Sequence, residues 1–143
     1  MLTLRNPRGF TLIELVIIIV ILGLLAAVAI PKYKSITAEA KEAAARGALG
    51  GLRSGITIYY ANAAVKTGTA TWPPVDSLRA VGVVMEQAIP KNPFCTAYPD
   101  SIHPAGATVA KGTVRAGGRP GWSYKSSTGE IWLNTNTVGE NLW

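Results

Sequence analysis

The sequence predicts an α+β protein. One long N-terminal α-helix, apolar in its first half, packs by its second half on a small antiparallel β-sheet. Three observations point there. A stretch without charge covers residues 15–30. Helix-spaced apolar and small residues continue for some thirty positions beyond it. Two short alternating segments, 121–125 and 130–134, are separated by a turn containing Gly129.

The chain has 143 residues, room for one ordinary domain. Its formal charge is +6, from 14 Lys and Arg against 8 Asp and Glu. Without Arg5 and Arg8 the surplus is 12 against 8, or +4. So mild an excess is weak evidence for nucleic-acid binding. The single cysteine, Cys95, excludes an intramolecular disulfide. Beside Phe94 it reads as a small buried apolar residue.

Residues 1–9 are short, polar and basic. Residues 10–30 would rise about 31 Å as a helix, enough to cross the hydrocarbon core of a membrane. A conventional secretory signal has a shorter apolar core, about 7–15 residues. A plain membrane anchor has the right length but leaves Glu14 unexplained. An acid at the centre of a bilayer costs about 2.5–3.5 kcal/mol.

Gly9-Phe10-Thr11-Leu12-Ile13-Glu14, after a basic leader and before an unbroken apolar stretch, resembles the prepilin processing site of type IV pilins and type II secretion pseudopilins. The resemblance is strong over residues 1–60 and weaker beyond. It implies a pilin-like fold with a leader at 1–9, a transmembrane and filament-core helix at 10–30, an amphipathic continuation at 31–64 and a small globular domain at 65–143. It also implies that a prepilin peptidase in the membrane cuts between Gly9 and Phe10, that the Phe10 amine is N-methylated, and that Glu14 is required for assembly. The expected partners are other copies of the chain in a helical homopolymer, the prepilin peptidase, inner-membrane assembly machinery, and the membrane before assembly. The precursor would sit in the bacterial inner membrane. The product would be an extracellular pilus or, alternatively, a periplasmic pseudopilus.

The chemistry agrees with that resemblance. Cleavage leaves a cationic amine at Phe10, one turn from Glu14. In a bundle, the amine of one copy can pair with Glu14 of a neighbour. Desolvation offsets much of the attraction, but a slipped register leaves a carboxylate bare.

Gly23 and Pro31 are weak points in this helix. The family resemblance implies that the stretch between them loses regular structure in the filament. Beyond Pro31, Tyr33, Ile36, Ala40, Ala44, Ala48, Leu52, Ile56 and Tyr59 predict a helical face reaching about residue 63. Gly47, Gly51 and Gly55 recur every four residues and predict close backbone approach of another helix or of the domain's own sheet.

Residues 65–71 read as a loop. Asp76 can cap a helix over 77–88, with Leu78, Val81, Met85 and Ala88 or Ile89 buried. Residues 107–115 alternate well enough for one strand, and the hairpin of 121–125 and 130–134 follows.

No catalytic or cofactor site emerges. Asp100-Ser101-Ile102-His103 lies in a Pro-rich stretch, whereas triads are assembled from distant segments. His103 is the only histidine, so no His/Cys cluster offers a metal site, and calcium would find only Glu130 and Glu140 near the end. Tyr33, Tyr59, Tyr60, Trp72, Trp122 and Trp132 read as packing residues rather than a base-stacking platform. The reading is a non-enzymatic pilus subunit. A secretion pseudopilin, a membrane-tethered binding module and a DNA-capturing filament remain alternatives.

Overall fold

The computed structural model describes residues 9–114, 121–135 and 139–143. Helix α1 covers Leu12–Thr67. The chain forms two compact units, residues 1–39 and 40–143, and the division falls inside α1.

In the first unit every described residue is exposed. The helix continues through both Gly23 and Pro31. The expected loss of structure between them is therefore not a property of the isolated subunit. This stretch is long and apolar enough to cross a membrane, and none of it is buried within the chain.

In the second unit Ala45, Leu49, Leu52 and Ile56 form the buried stripe of α1. The stripe expected from sequence agrees at Leu52 and Ile56, whereas Ala44 is exposed and Ala48 only partly buried. The reason is geometric. At 3.6 residues per turn, successive four-residue steps drift about 40° each around the helix. The 45-49-52-56 spacing alternates fours and threes and stays on one side.

Helix α2 covers only Val75–Arg79. The helix expected over 77–88 stops there because Gly82, at φ +83°, turns the chain and donates its N–H to the Met85 carbonyl at 2.7 Å. Leu78 is buried as expected, but Val81 is 60% exposed.

The sheet has three strands in the order β1 (Ile102–Pro104), β2 (Trp122–Lys125) and β3 (Glu130–Leu133). The β2–β3 hairpin is antiparallel, as expected, with Trp122 opposite Leu133 and Tyr124 opposite Ile131. The sheet is not wholly antiparallel, however, because β1 runs parallel to β2. The strand expected over 107–115 is absent among the described residues; Arg115 lies outside them. Residues 106–113 instead make two tight turns, Val109 N–H to Gly106 O at 3.0 Å and Thr113 N–H to Ala110 O at 3.2 Å.

Those turns cover the second face of the sheet. Trp122, Tyr124, Ile131 and Leu133 join the α1 stripe in the core, while Trp132 points the other way and is also fully buried. Its indole N–H donates to Thr113 O at 3.2 Å, and Lys125 Nζ donates to Val109 O at 3.1 Å. The hairpin turn needs Gly129 for two reasons. It has φ +72°, and a Cβ there would run into the Trp72 ring. Trp72 stacks on Tyr60 with centroids 4.0 Å apart.

The three glycines of α1 differ. A Cβ at Gly55 would lie 2.5 Å from Met85 Sδ and 2.9 Å from Val84 O, whereas one at Gly47 or Gly51 meets nothing within 4 Å. Gly55→Ala should therefore destabilise the domain by about 1–3 kcal/mol through overpacking. Gly47→Ala and Gly51→Ala should stabilise it by up to about 1 kcal/mol each. Thermal melts of the three variants in detergent check both signs.

Tyr124 is fully buried, and its hydroxyl donates to Pro73 O at 2.8 Å. Burial, with a smaller contribution from Tyr59, pushes its pKa up to about 12. The folded state thus holds the neutral phenol, while the unfolded chain ionises near pH 10. This contribution to stability is complete below about pH 10 and is lost as pH rises through 12. Alkaline unfolding curves should show that loss, and Tyr124→Phe should flatten it.

Candidate functional site

The candidate site is the head of α1. Gly9, Phe10 and Thr11 precede the helix, and Phe10 is 83% exposed. Thr11 is the N-cap. Its hydroxyl accepts from Glu14 N–H at 3.3 Å, and its carbonyl accepts the first helical bond, from Leu15 N–H at 3.3 Å. Glu14 reaches back. Its Oε2 accepts from Thr11 N–H at 2.8 Å and from the Thr11 hydroxyl at 2.7 Å. This reciprocal arrangement is a capping box. The Thr-x-x-Glu signal for it stands in the sequence at residues 11–14.

The cap gives Glu14 a role inside one chain. A carboxylate in the first helical turn also opposes the positive end of the helix dipole. Both functions persist if the chain is cut before Phe10, because Thr11 N–H then belongs to the Phe10–Thr11 peptide. Such a cut would add an ammonium group one residue before the cap. The head of the helix would then carry one cation and one carboxylate beside exposed apolar side chains.

Elsewhere the described residues offer no group of three or more His, Cys, Asp or Glu that could hold a metal. A cavity of about 450 Å³ is lined by residues including Arg79, Tyr98, Ser101 and His103. Ser101 Oγ lies 2.9 Å from His103 Nε2 and 2.8 Å from Tyr98 O. The Ser101 hydroxyl thus has a backbone carbonyl, Tyr98 O, within reach as an acceptor. Cys95 is half-buried rather than fully buried, and burial pushes its thiol pKa up, away from the reactive thiolate.

Residues 4–30 match the family model described as the prokaryotic N-terminal methylation motif. The type IV major pilin protein PilE1 of Neisseria gonorrhoeae is 38% identical over 109 residues, covering 76% of this chain and 42% of that protein. By this motif and this identity the chain is similar to type IV pilins. A fimbrial protein of Neisseria meningitidis is 51% identical over 55 residues, 38% of this chain and 32% of the relative. The type IV narrow pilus major component PilA5 of Thermus thermophilus is 43% identical over 53 residues, 37% of this chain and 46% of the relative. The alignments thus span less than half of these relatives. No solved structure matches the chain significantly.

The matched stretch includes Gly9, Phe10 and Glu14. Asn92, Arg53 and Arg79 were not singled out from sequence. Each is a polar residue with a backbone carbonyl partner far away in the chain, Gly121 for Asn92, Ile131 for Arg53 and Ile102 for Arg79.

Proposed function

We propose that this chain is a pilin, a structural subunit and not an enzyme. It polymerises through α1 into an extracellular type IV pilus. The precursor is held in the inner membrane by residues 10–30. A prepilin peptidase cuts after Gly9, the Phe10 amine is methylated, and assembly machinery transfers the subunit from lipid to the growing filament. Assembly exchanges lipid contacts for helix–helix contacts, and Glu14 sets the register against a neighbour's amine. Gly23 and Pro31 are where the helix gives way on leaving the membrane. Gly47 and Gly51, open in the single chain, take close contact from a neighbouring helix.

The observation that carries this reading is the coincidence of the methylation motif with an unburied apolar helix headed by Glu14. The pilus and fimbrial names of the relatives favour a pilus over a secretion pseudopilus. Surface fibres sheared from cells and examined by electron microscopy and mass spectrometry test it. The expected subunit begins with N-methylated Phe10, and a bulky residue at position 9 leaves the leader attached. Absence of fibres together with a protein-secretion defect would favour the pseudopilin instead.

A further inference from the structure

Among the described residues the sheet ends at β1 on one side and β3 on the other. An open edge offers its N–H and C=O groups to a strand from any other copy. The register determines which groups face out. Trp122 N–H donates to Ser101 O at 2.8 Å, and Ala105 N–H to Tyr124 O at 2.7 Å. Residues 101, 103 and 105 therefore face β2, and Ile102 and Pro104 face outward. On the other side Asn134 N–H donates to Gly121 O at 3.0 Å, so Ile131 and Leu133 face outward from β3.

Both outward rows are interrupted. Arg79 Nη2 donates to the Ile102 carbonyl at 2.7 Å. Pro104, next in that row, has no N–H to offer. Arg53 Nη2 donates to the Ile131 carbonyl at 3.3 Å and also bonds the Trp143 carbonyl. The turn Glu140–Leu142 lies against β3. Arg79 also pairs with Asp76 at 3.2 Å, but the Asp76 side chain is 91% exposed, so the ion pair itself contributes little. Two arginines from two different helices thus reach the opposite edges of one small sheet.

We infer that Arg53 and Arg79 determine the specificity of self-association by occupying the edge carbonyls that a strand of a second copy would need. A guanidinium in that position displaces the incoming N–H. It also places a positive charge where an identical copy brings the same charge. Association by sheet pairing is blocked, and the exposed helix is left as the route. The inference concerns the sheet edges and does not require the filament reading.

The test uses the full chain in detergent micelles and a labelled synthetic peptide with the sequence of residues 129–135. The unaltered chain should not retain the peptide or bind thioflavin T. Arg79→Met should retain the peptide at least ten-fold more strongly and become thioflavin-positive, while Arg79→Lys, which still donates, stays inert. Arg79→Met that melts cooperatively yet retains no more peptide than the unaltered chain overturns the inference. If Arg79→Met and Arg79→Ala both lose the cooperative melt, the arginine holds the fold rather than guarding the edge, and the inference is equally overturned. Fibre formation does not enter the measurement, so failure of the pilus reading leaves this result intact.

Discussion

Glu14→Gln should reduce surface fibres nearly as far as Glu14→Ala. The comparison separates the cap that Glu14 makes from the pairing with a neighbour's amine proposed for it. Glutamine keeps a capping box, because its amide oxygen can accept from Thr11 N–H as Oε2 does at 2.8 Å. It carries no charge for a neighbour's amine. Loss of the cap costs about 0.5–2 kcal/mol. An amine buried without its carboxylate costs about 3–5 kcal/mol. At 1.4 kcal/mol per factor of ten, the second term lowers association about 100- to 4,000-fold. Sheared fibres quantified by immunoblot should therefore nearly vanish for both variants. Thr11→Val, which loses the hydroxyl but retains Glu14, should assemble with a modest deficit. Normal fibre yield from Glu14→Gln would show that the cap, not the charge, is what assembly requires.

Asn92→Ala should be the most destabilising polar substitution in the globular unit. Asn92 is fully buried. Its side chain donates from Nδ2 to Gly121 O at 2.9 Å and accepts at Oδ1 from Phe94 N–H at 3.0 Å. Its backbone N–H donates to Pro99 O at 2.8 Å. One residue thus ties the 90–99 loop to the start of β2, and the neighbouring bond from Trp122 Nε1 to Pro90 O at 2.9 Å completes the tie. Alanine leaves Phe94 N–H unpaired and removes one of the two donors to Gly121 O. The other, Asn134 N–H, remains at 3.0 Å. The sum is about 2–4 kcal/mol. For a unit of this size the melting temperature should fall by roughly 10–25 °C. Tryptophan fluorescence melts in detergent measure it; a shift below a few degrees would mean the loop is held chiefly by its packing. Asn92→Asp should also be destabilising, because it retains the Phe94 bond but turns an acceptor toward the Gly121 carbonyl.

The parts legible in the sequence are those set by neighbours in the chain. The apolar helix, the Gly9–Glu14 motif and the Trp122–Leu133 hairpin each carry their signal within a few residues. The errors share a cause. Residues 107–115 alternate like a strand, but Trp132 and Lys125 needed their carbonyls as acceptors for a cover over the sheet. Ile102–Pro104, dismissed as Pro-rich loop, became β1 because β2 offered a parallel edge. Gly82 cut short a helix whose apolar spacing otherwise allowed it.

By itself the sequence determined the membrane-length helix, its acid at position 14 and its processing motif, because hydrophobic length and local capping depend on adjacent residues alone. Only the tertiary structure decided that Gly55 packs while Gly47 and Gly51 stay open, and that Asn92 ties the 90–99 loop to the start of β2. It also decided that Arg53 and Arg79 donate to the carbonyls of Ile131 and Ile102 on the outer strands. Those roles depend on what lies across space. Long-range polar partners leave no periodicity in the chain for a reader to find.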